Sequence, residues 1–353
     1  MTHFVGVDVG GTTCTVAIGD ETRNVVQISD QFATRVSEGP EETIRTIAGE
    51  ILATLNANGI APERLEVVGL STPGPATKDG VLLNTPNFDP RLWDQVPFRA
   101  ALEKKIRERS NAASVHYIGD GQAAALGEYS IRRGTITWDQ VSRSNAAHDE
   151  LQSLFMVAVG TGLGGGEIRG GMFVSGKDGI AGHAGHLFLP SFAFRYEHDQ
   201  QLTVGNAKST IESAVSLTAL THQLGYRLSL DAWQDHPLHA SKASTRDKAK
   251  QLRDLAAAGD PLARELFDDQ ARALGIGLLS LDYIGNYDLL VIGGGVCDLV
   301  PNLREQYLNT VRLAYREFAL DGFKDHGRIE FAICGDEAPV IGALARAYSI
   351  SAS

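Results

Sequence analysis

Short apolar runs alternate with longer amphipathic stretches along the chain. Apolar runs bounded by turn residues predict buried strands, whereas apolar positions that recur every three or four residues predict helices. Strands are predicted at residues 4–7, 14–18, 65–70, 116–118, 153–159, 172–174 and 288–292. Helices are predicted at residues 40–57, 98–109, 122–129, 208–220, 261–284 and 338–348. This alternation predicts an α/β protein.

Glycine turns follow three of the predicted strands, at residues 10–13 (GGTT), 160–165 (GTGLGG) and 293–295 (GGG). Glycine is used where the backbone must turn tightly or lie directly against a ligand. The N–H groups of such a turn can bind a phosphate, and the threonines of the first two turns add hydroxyl donors. We therefore predict phosphate-binding turns, with a glycine-rich hairpin that binds no ligand as the alternative.

Two common phosphate-binding motifs do not fit these turns. Residues 160–165 match G-x-G-x-x-G, but that fingerprint must open a helix, and here a Gly170-Gly171 pair and a short predicted strand follow. Residues 171–177 imitate a P-loop, but Asp178 stands where a Ser or Thr would hold magnesium. What remains is a pair of similar hairpins far apart in the chain, which predicts two related halves.

Acidic and amide side chains follow predicted strands. In an open α/β sheet the carboxyl ends of the strands are where ligands bind. Asp8 could hold a magnesium ion there through water. Asp120 lies at a strand-to-helix junction, where it either takes part in chemistry or only caps the helix. Asn87, in a loop fixed by prolines, either directs its amide toward a ligand or holds the turn.

Composition bounds the class of protein. The 353 residues, 43% hydrophobic and 21% charged, predict an ordinary globular chain of two domains or one large one. A net charge of −11 argues against nucleic-acid and anionic membrane partners, and the basic residues within 231–255 are expected on a solvated helix face. Three widely spaced cysteines, no secretory signal and no membrane-length apolar stretch predict a cytoplasmic enzyme.

The order of these motifs resembles the ROK family of bacterial sugar kinases and their relatives. The resemblance rests on DVGGT at 8–12, STPGP at 71–75 with PNF at 86–88, GDGQAAALGE at 119–128, GTGLGGG at 160–166, GGGV at 293–296 and the C-terminal helix at 340–345. It implies the two-lobed α/β fold of the actin-like ATPases, with ATP and sugar bound in the cleft between lobes. The expected lobes are residues 1–118 plus 336–353 and residues 119–335.

The resemblance also implies a reaction and a set of site residues. The reaction is ATP-dependent phosphorylation of a sugar hydroxyl, with Asp120 as the general base and Asp8 organising Mg²⁺. The residues expected to bind ATP are Asp8, Gly10, Gly11, Thr12, Thr13, Gly160, Thr161, Gly162, Gly164, Gly293, Gly294 and Gly295. The residues expected to bind the sugar are Gly74, Asn87, Gly119, Asp120, His183, His186 and Glu212. A homodimer is the assembly that the resemblance implies.

The chain departs from the family pattern on the sugar side. Gly119 stands where the family usually has Asn, and His183 replaces the Glu of a G-E-x-G-H motif whose His is kept as His186. Glu212 matches a later sugar-contacting Glu, with local spacing one residue longer. The family's zinc-binding cysteines are absent from residues 204–212, so we expect no zinc site. The sugar is therefore expected to be glucose, another hexose, an amino sugar or a cyclitol.

Two alternatives to a kinase remain at this point. Transcriptional repressors of the same family carry a DNA-binding domain before the first motif, and only seven residues precede Asp8, so we expect no DNA binding. A sugar-binding pseudokinase or sensor without phosphoryl transfer is the second alternative. The presence of Asp8, both phosphate turns and Asp120 favours an active enzyme.

Overall fold

The computed structural model describes residues 1–83, 85, 88–110, 113–141, 150–324 and 328–351. The strands are β1 His3–Val9, β2 Thr13–Asp20, β3 Val25–Ile28, β4 Phe32–Ala33, β5 Leu65–Thr72, β6 Ser114–Gly119, β7 Ser153–Val159, β8 Leu163–Arg169, β9 Met172–Phe173, β10 Thr203–Val204, β11 Ala207–Lys208, β12 Leu289–Gly294 and β13 Ile329–Phe331. The helices are α1 Pro40–Ala57, α2 Pro90–Trp93, α3 Phe98–Arg107, α4 Asp120–Arg133, α5 Ile211–Ala214, α6 Leu217–Arg227, α7 Thr245–Lys250, α8 Leu252–Ala257, α9 Pro261–Gly285, α10 Pro301–Phe318 and α11 Ala338–Ser351.

The chain divides into two compact units. Unit 1 comprises Met1–Leu154, Gly166–Gly182 and Ile333–Ser353, and unit 2 comprises Phe155–Gly165 and His183–Ala332. One sheet has the order β3-β2-β1-β5-β6, with β4 also paired to β2, and the other has the order β13-β12-β7-β8-β9. A helix between parallel strands is the βαβ arrangement of an α/β protein. The predicted fold class is therefore confirmed.

The sheet of unit 1 brings three strand ends to one edge. β1 pairs with β5 in parallel, with Asp8 opposite Ser71, and β5 pairs with β6 in parallel, with Thr72 opposite Gly119. Apolar side chains of these strands form a core with α1 and α3. In parallel pairing the carboxyl ends of neighbouring strands lie side by side. The loops that leave these strands therefore begin at a common edge.

Helix α11 packs against its neighbours at backbone distance. A Cβ atom added at Gly342 would overlap the carbonyl oxygen of Ala123, and one at Gly127 would overlap that of Ala338. The close packing expected of Gly342 is present. This contact joins α4 to α11 and explains why the units differ from the lobes predicted from sequence. With α4, the stretch after Gly119 belongs to unit 1, so the first boundary does not fall at residue 118.

Unit 2 has its own core, built around the long helix α9 and the neighbouring helix α10. The helix predicted at 208–220 is in fact two helices, α5 and α6. Ser216 between them has extended backbone dihedrals, and its side chain accepts a hydrogen bond from the N–H of Ala219 to cap α6. An N-cap of this kind satisfies a helix donor that would otherwise lack a partner. The prediction of one continuous helix was wrong because Ser216 starts a new one.

The irregular segment predicted at 188–203 is held to the helices of unit 2 by a buried arginine. Arg227 is completely buried, and its guanidinium donates to both carboxylate oxygens of Asp199 at 3.0 and 2.8 Å and to Asp269 at 3.0 Å. Its Nε donates to Glu265 at 3.2 Å. A buried charge is tolerated when it is paired and hydrogen-bonded in this way.

In the part of the chain that the structure describes, no helix is long and apolar enough to cross a bilayer.

We predict opposite effects on stability for two Gly→Ala substitutions in helices. Gly342→Ala should lower the free energy of unfolding by about 1–3 kcal/mol, because the new methyl group overlaps the backbone of Ala123. Gly49→Ala on the exposed side of α1, where a Cβ meets nothing within 4 Å, should raise it by about 0.5–1 kcal/mol. Urea denaturation of both variants measures this. Equal shifts of the same sign would contradict the close contact of α4 with α11.

Candidate active site

Asp8 lies near the end of β1, beside β5. The hydroxyl of Ser71 donates a hydrogen bond to Oδ1 of Asp8 at 2.8 Å. The pKa of Asp8 is raised to about 7, mainly by removal from water; the Ser71 hydrogen bond opposes this shift and the charge of Asp120 adds to it. Burial disfavours the charged form of an acid unless a cation is near. Asp8 is therefore a carboxylate whose surroundings favour a bound positive charge.

Asp120 is the first residue of α4, directly after β6. Its side chain is exposed, and its Oδ1 accepts a hydrogen bond from the N–H of Gly121 at 2.7 Å. The two alternatives predicted for Asp120, a helix cap and a part in the chemistry, are compatible. Its carboxylate contacts the start of its own helix and is also exposed at the edge of the sheet. The register of β1, β5 and β6 brings Asp8, Ser71 and Asp120 to this edge.

In both predicted phosphate turns the N–H of the first glycine bonds within the turn, although the two turns differ in length. In the turn of unit 1 the N–H of Gly10 donates to the carbonyl oxygen of Thr13 at 2.8 Å. In the turn of unit 2 the N–H of Gly160 donates to the carbonyl oxygen of Gly162 at 2.9 Å. The first glycine thus closes each hairpin with its own N–H group.

The N–H groups that follow are left for other partners. Within the described residues, the N–H groups of Gly11 and Thr12 in the first turn make no hydrogen bond, and those of Thr161 and Gly162 in the second make none either. Successive unpaired N–H groups in a turn form an anion-binding concavity. The N–H groups that could donate to an anion are therefore those of these later residues, rather than those of Gly10 or Gly160.

Unit 2 contains a cavity of about 320 Å³ next to the second turn. Its lining residues are Val159, Gly160, Thr161, Leu217, Leu220, Ala249, Lys250, Arg253, Phe267, Gln270, Gly295 and Val296. The walls are mostly apolar, with two cationic side chains and one amide. A volume of this size with few polar groups is typical of small-molecule sites. The cavity brings the second and third glycine turns together.

The third glycine turn serves packing as well as the cavity. Gly294 has a φ of 78°, and a Cβ there would overlap the carbonyl oxygen of Val159. A Cβ at Gly293 would overlap the side chain of Met156, so both residues allow β12 to lie against β7. A Cβ at Gly295 would instead overlap the guanidinium of Arg253. Of the three predicted glycines, Gly295 is the one that lines the cavity.

The expected sugar-binding residues of unit 2 lie around a short 3₁₀ turn, Ala184–His186. His183 and His186 are both exposed, and their ring centroids are 6.1 Å apart. Glu212, in α5, accepts a hydrogen bond from the N–H of Leu163 at 2.8 Å and lies against Gly162 and Gly185. Glu212 thereby joins the start of β8 to this turn.

The remaining predicted residues are placed as follows. Gly119 ends β6 in unit 1, and Gly74 lies beyond β5, joined to Pro75 by a cis peptide bond. Gly164 is exposed in β8, with open space where a Cβ would stand. Asn87 lies outside the described residues, so its prediction has no structural counterpart.

Three residues of these sites have roles that the sequence did not predict. Lys250 and Arg253 lie on a solvent-exposed face, as predicted, with side chains 57% and 46% exposed, but the sequence did not predict that they also line the cavity of unit 2. The charge pattern of α7 and α8 carried no signal of this, because it depends on how the helices pack. Ser71 was recognised only as part of a turn, although its position at the end of a buried strand could have indicated a partner for Asp8.

No group of three or more metal-ligating side chains occurs among the described residues. The three cysteines, Cys14, Cys297 and Cys334, form no disulfide bond. Mg²⁺ nevertheless fits the edge of unit 1, because this ion uses one or two carboxylates together with water and substrate phosphates. Asp8, with a raised pKa and Asp120 near it, provides that kind of carboxylate.

We predict that Asp8 makes stability depend on pH in metal-free buffer. Its folded pKa of about 7 lies above the value of about 3.9 for an unfolded Asp, so folding favours the protonated form. Protonated Asp8 contributes its full stabilisation of the folded state below about pH 4, and this stabilisation is lost as the pH rises through about 7. Relative to Asp8→Asn, the wild type should therefore lose stability between pH 4 and pH 7, as measured by urea denaturation.

The control for this measurement is Asp79→Asn, which changes an exposed aspartate of the same unit. Its stability should follow the wild type across the pH range. Parallel curves for the wild type and Asp8→Asn would show that the pKa of Asp8 is not raised.

Comparison with known proteins places these features in a family. A family model described as ROK family matches residues 4–349. A glucokinase from Thermotoga maritima is 29% identical over 298 residues, 83% of this chain and 82% of that protein. The crystal structure of a ROK hexokinase from Thermus thermophilus has a TM-score of 0.76 at 28% identity and covers 100% of both chains.

A ROK family glucokinase from Streptomyces griseus, solved with glucose and AMPPNP, has a TM-score of 0.70 at 25% identity and covers 98% of this chain and 99% of its own. These similarities confirm the expected actin-like ATPase fold. Since the family model spans nearly the whole chain, the protein belongs to the ROK family.

Proposed function

We infer that the protein is an ATP-dependent kinase that phosphorylates a hydroxyl of a sugar, with Asp120 as the general base. The similar glucokinases, one of them solved with glucose and AMPPNP, confirm the class of reaction. Asp120 is assigned its role because it projects, exposed, from the edge of the sheet that also carries Asp8 and Ser71. No feature of the described residues favours a pseudokinase.

Phosphoryl transfer depends mainly on positioning and charge stabilisation. Asp120 accepts the proton of the attacking hydroxyl, late in the reaction, when the oxygen is already bonding to phosphorus. The hydrogen bond from the N–H of Gly121 to its Oδ1 orients the carboxylate at the start of α4. The proposed phosphate donors are the N–H groups of Gly11 and Thr12 in unit 1 and those of Thr161 and Gly162 in unit 2.

We propose that the cavity of unit 2 holds the nucleoside of ATP. Its apolar walls suit a base, and Lys250 and Arg253 supply positive charge for phosphate oxygens. We also propose that Asp8 holds Mg²⁺, directly or through water, with Ser71 fixing the orientation of its carboxylate. The ion would neutralise charge on the phosphate oxygens.

The proposed acceptor is a hexose or a hexose-like sugar. The kinship with glucokinases makes glucose the first candidate. Two positions argue for a changed preference, because His183 and Gly119 replace polar side chains that the family resemblance places on the sugar. A site that lacks one hydrogen bond to a substrate hydroxyl can change specificity by orders of magnitude. A cytoplasmic location and a homodimer remain predictions of the sequence.

We predict that Asp120→Asn lowers kcat by about 10²–10⁴-fold, because the amide cannot accept the proton. The assay couples ADP release to a panel of hexoses, N-acetylated hexosamines and cyclitols. Binding of ATP, measured by titration calorimetry, should be unchanged. Asp30→Asn, at an exposed position of the same unit, is the control and should keep full turnover. Near-normal turnover in Asp120→Asn would remove the role assigned to this residue.

We predict that His183→Glu changes the order of preference among the acceptors of this panel. A carboxylate accepts hydrogen bonds from sugar hydroxyls, whereas an imidazole offers one donor and one acceptor when neutral. His239→Glu, which makes the same change at another exposed turn of unit 2, should leave the order unaltered. The same acceptor profile in His183→Glu and the wild type would mean that His183 does not contact the sugar.

A further inference from the structure

The backbone at Gly119 does not require glycine. Its φ of −70° and ψ of 150° are ordinary for any residue. A Cβ added there would meet Oε1 of Gln122 at 3.6 Å and the hydroxyl of Tyr117 at 3.8 Å, which are normal contact distances. The missing side chain therefore leaves space next to Asp120, and that space is bordered by two polar atoms.

Gln122 directs its carbonyl oxygen into this space. The side chain is only 5% exposed, and its Nε2 faces the carbonyl oxygens of Val174, Gly179 and Ala181 at 3.4, 3.4 and 3.2 Å. Three acceptors on one side fix the orientation of the amide, because the reverse would set oxygen against oxygen. No hydrogen bond among the described residues uses Oε1. This oxygen is thus an acceptor held ready for a donor.

Tyr117 supplies a hydroxyl on the same side of the sheet. It lies two residues before Gly119 in β6, so both side-chain directions are on one face. The ring is 8% exposed and packs against Gly80. Burial raises the pKa of Tyr117 to about 12, with the Thr72 side chain offsetting part of this and the charge of Asp120 adding to it. The phenol therefore stays neutral and can both donate and accept a hydrogen bond.

We propose that Tyr117 and Gln122 are specificity-determining residues of the acceptor site. The Tyr117 hydroxyl and the Gln122 carbonyl oxygen bind ring hydroxyl groups of the sugar in the space above Gly119. A hydroxyl group matches this pair because it donates one hydrogen bond and accepts others. The inference rests on the proposed function, since it takes Asp120 as the base that receives the proton of a neighbouring hydroxyl.

The test compares Tyr117→Phe with the wild type on the best acceptor of the panel and on its mono-deoxy analogues. For the complete sugar we expect kcat/KM to fall roughly tenfold, mainly through KM, because one hydrogen bond is lost. KM for ATP should not change. For one deoxy analogue, which lacks the hydroxyl that Tyr117 binds, the variant and the wild type should have the same kcat/KM. A loss of equal size for every acceptor would indicate a structural role and overturn the proposal.

Two further variants separate recognition from folding. Gly119→Ala fits the backbone and fills the space, so it should also raise KM for the sugar while leaving thermal stability and KM for ATP unchanged. Tyr348→Phe removes a hydroxyl that donates to the carbonyl oxygen of Asp20 in the same unit, and it should leave KM for the sugar unaltered. An unaffected KM in Gly119→Ala would overturn the proposal.

A wild type that phosphorylates no sugar would overturn the proposed function itself, whereas an active wild type with an unchanged Tyr117→Phe profile would overturn only this inference.

Discussion

The candidate site of unit 1 depends on the backbone contact between α11 and its neighbours. Side chains added at Gly6 of β1, Gly69 of β5 or Gly127 of α4 would overlap the backbone of α11. These are the elements that carry Asp8, Ser71 and Asp120. Well-packed interiors tolerate little change in volume, so such contacts fix relative positions closely. The last helix of the chain therefore fixes residues that are distant from it in sequence.

A second contact fixes the chain just before that helix. Glu128 in α4 is fully buried, and its Oε1 accepts hydrogen bonds from the N–H groups of Ile333 and Cys334 at 2.8 and 2.6 Å. Its other oxygen accepts from Arg132 at 3.1 Å. Since a buried carboxylate needs such partners, the same helix that begins with Asp120 also anchors the start of α11. The position of the proposed base and the packing of the chain before α11 thus depend on one helix.

Features set by neighbouring residues in the chain, such as strands, helices and motifs, were predicted from the sequence. Features set by contacts between distant segments were not. Apolar periodicity predicted the main strands and helices, and the ordered motifs identified the family. The break at Ser216 was missed because an N-cap inside an apolar stretch resembles any other helical serine. The exposed positions of Lys250 and Arg253 were predicted, but the cavity beside them was not, because it depends on how α7 and α8 pack against distant segments. The roles of Gly10 and Gly160 needed coordinates, because only the hydrogen bonds show which N–H groups each turn consumes.

The glycines of this chain differ in the reason for which they are glycine. Gly342 is required by the backbone of α4, and Gly294 by both its positive φ and the backbone of β7. Gly119 has neither constraint, so its lack of a side chain cannot be explained by folding. It is flanked by an amide oxygen and a phenol on nearly buried side chains, and it precedes the proposed base. Because packing and backbone would both permit a larger residue beside the proposed base, the space at Gly119 is better explained by a bound molecule than by folding. The polar atoms that border it suit the hydroxyl groups of the acceptor sugar.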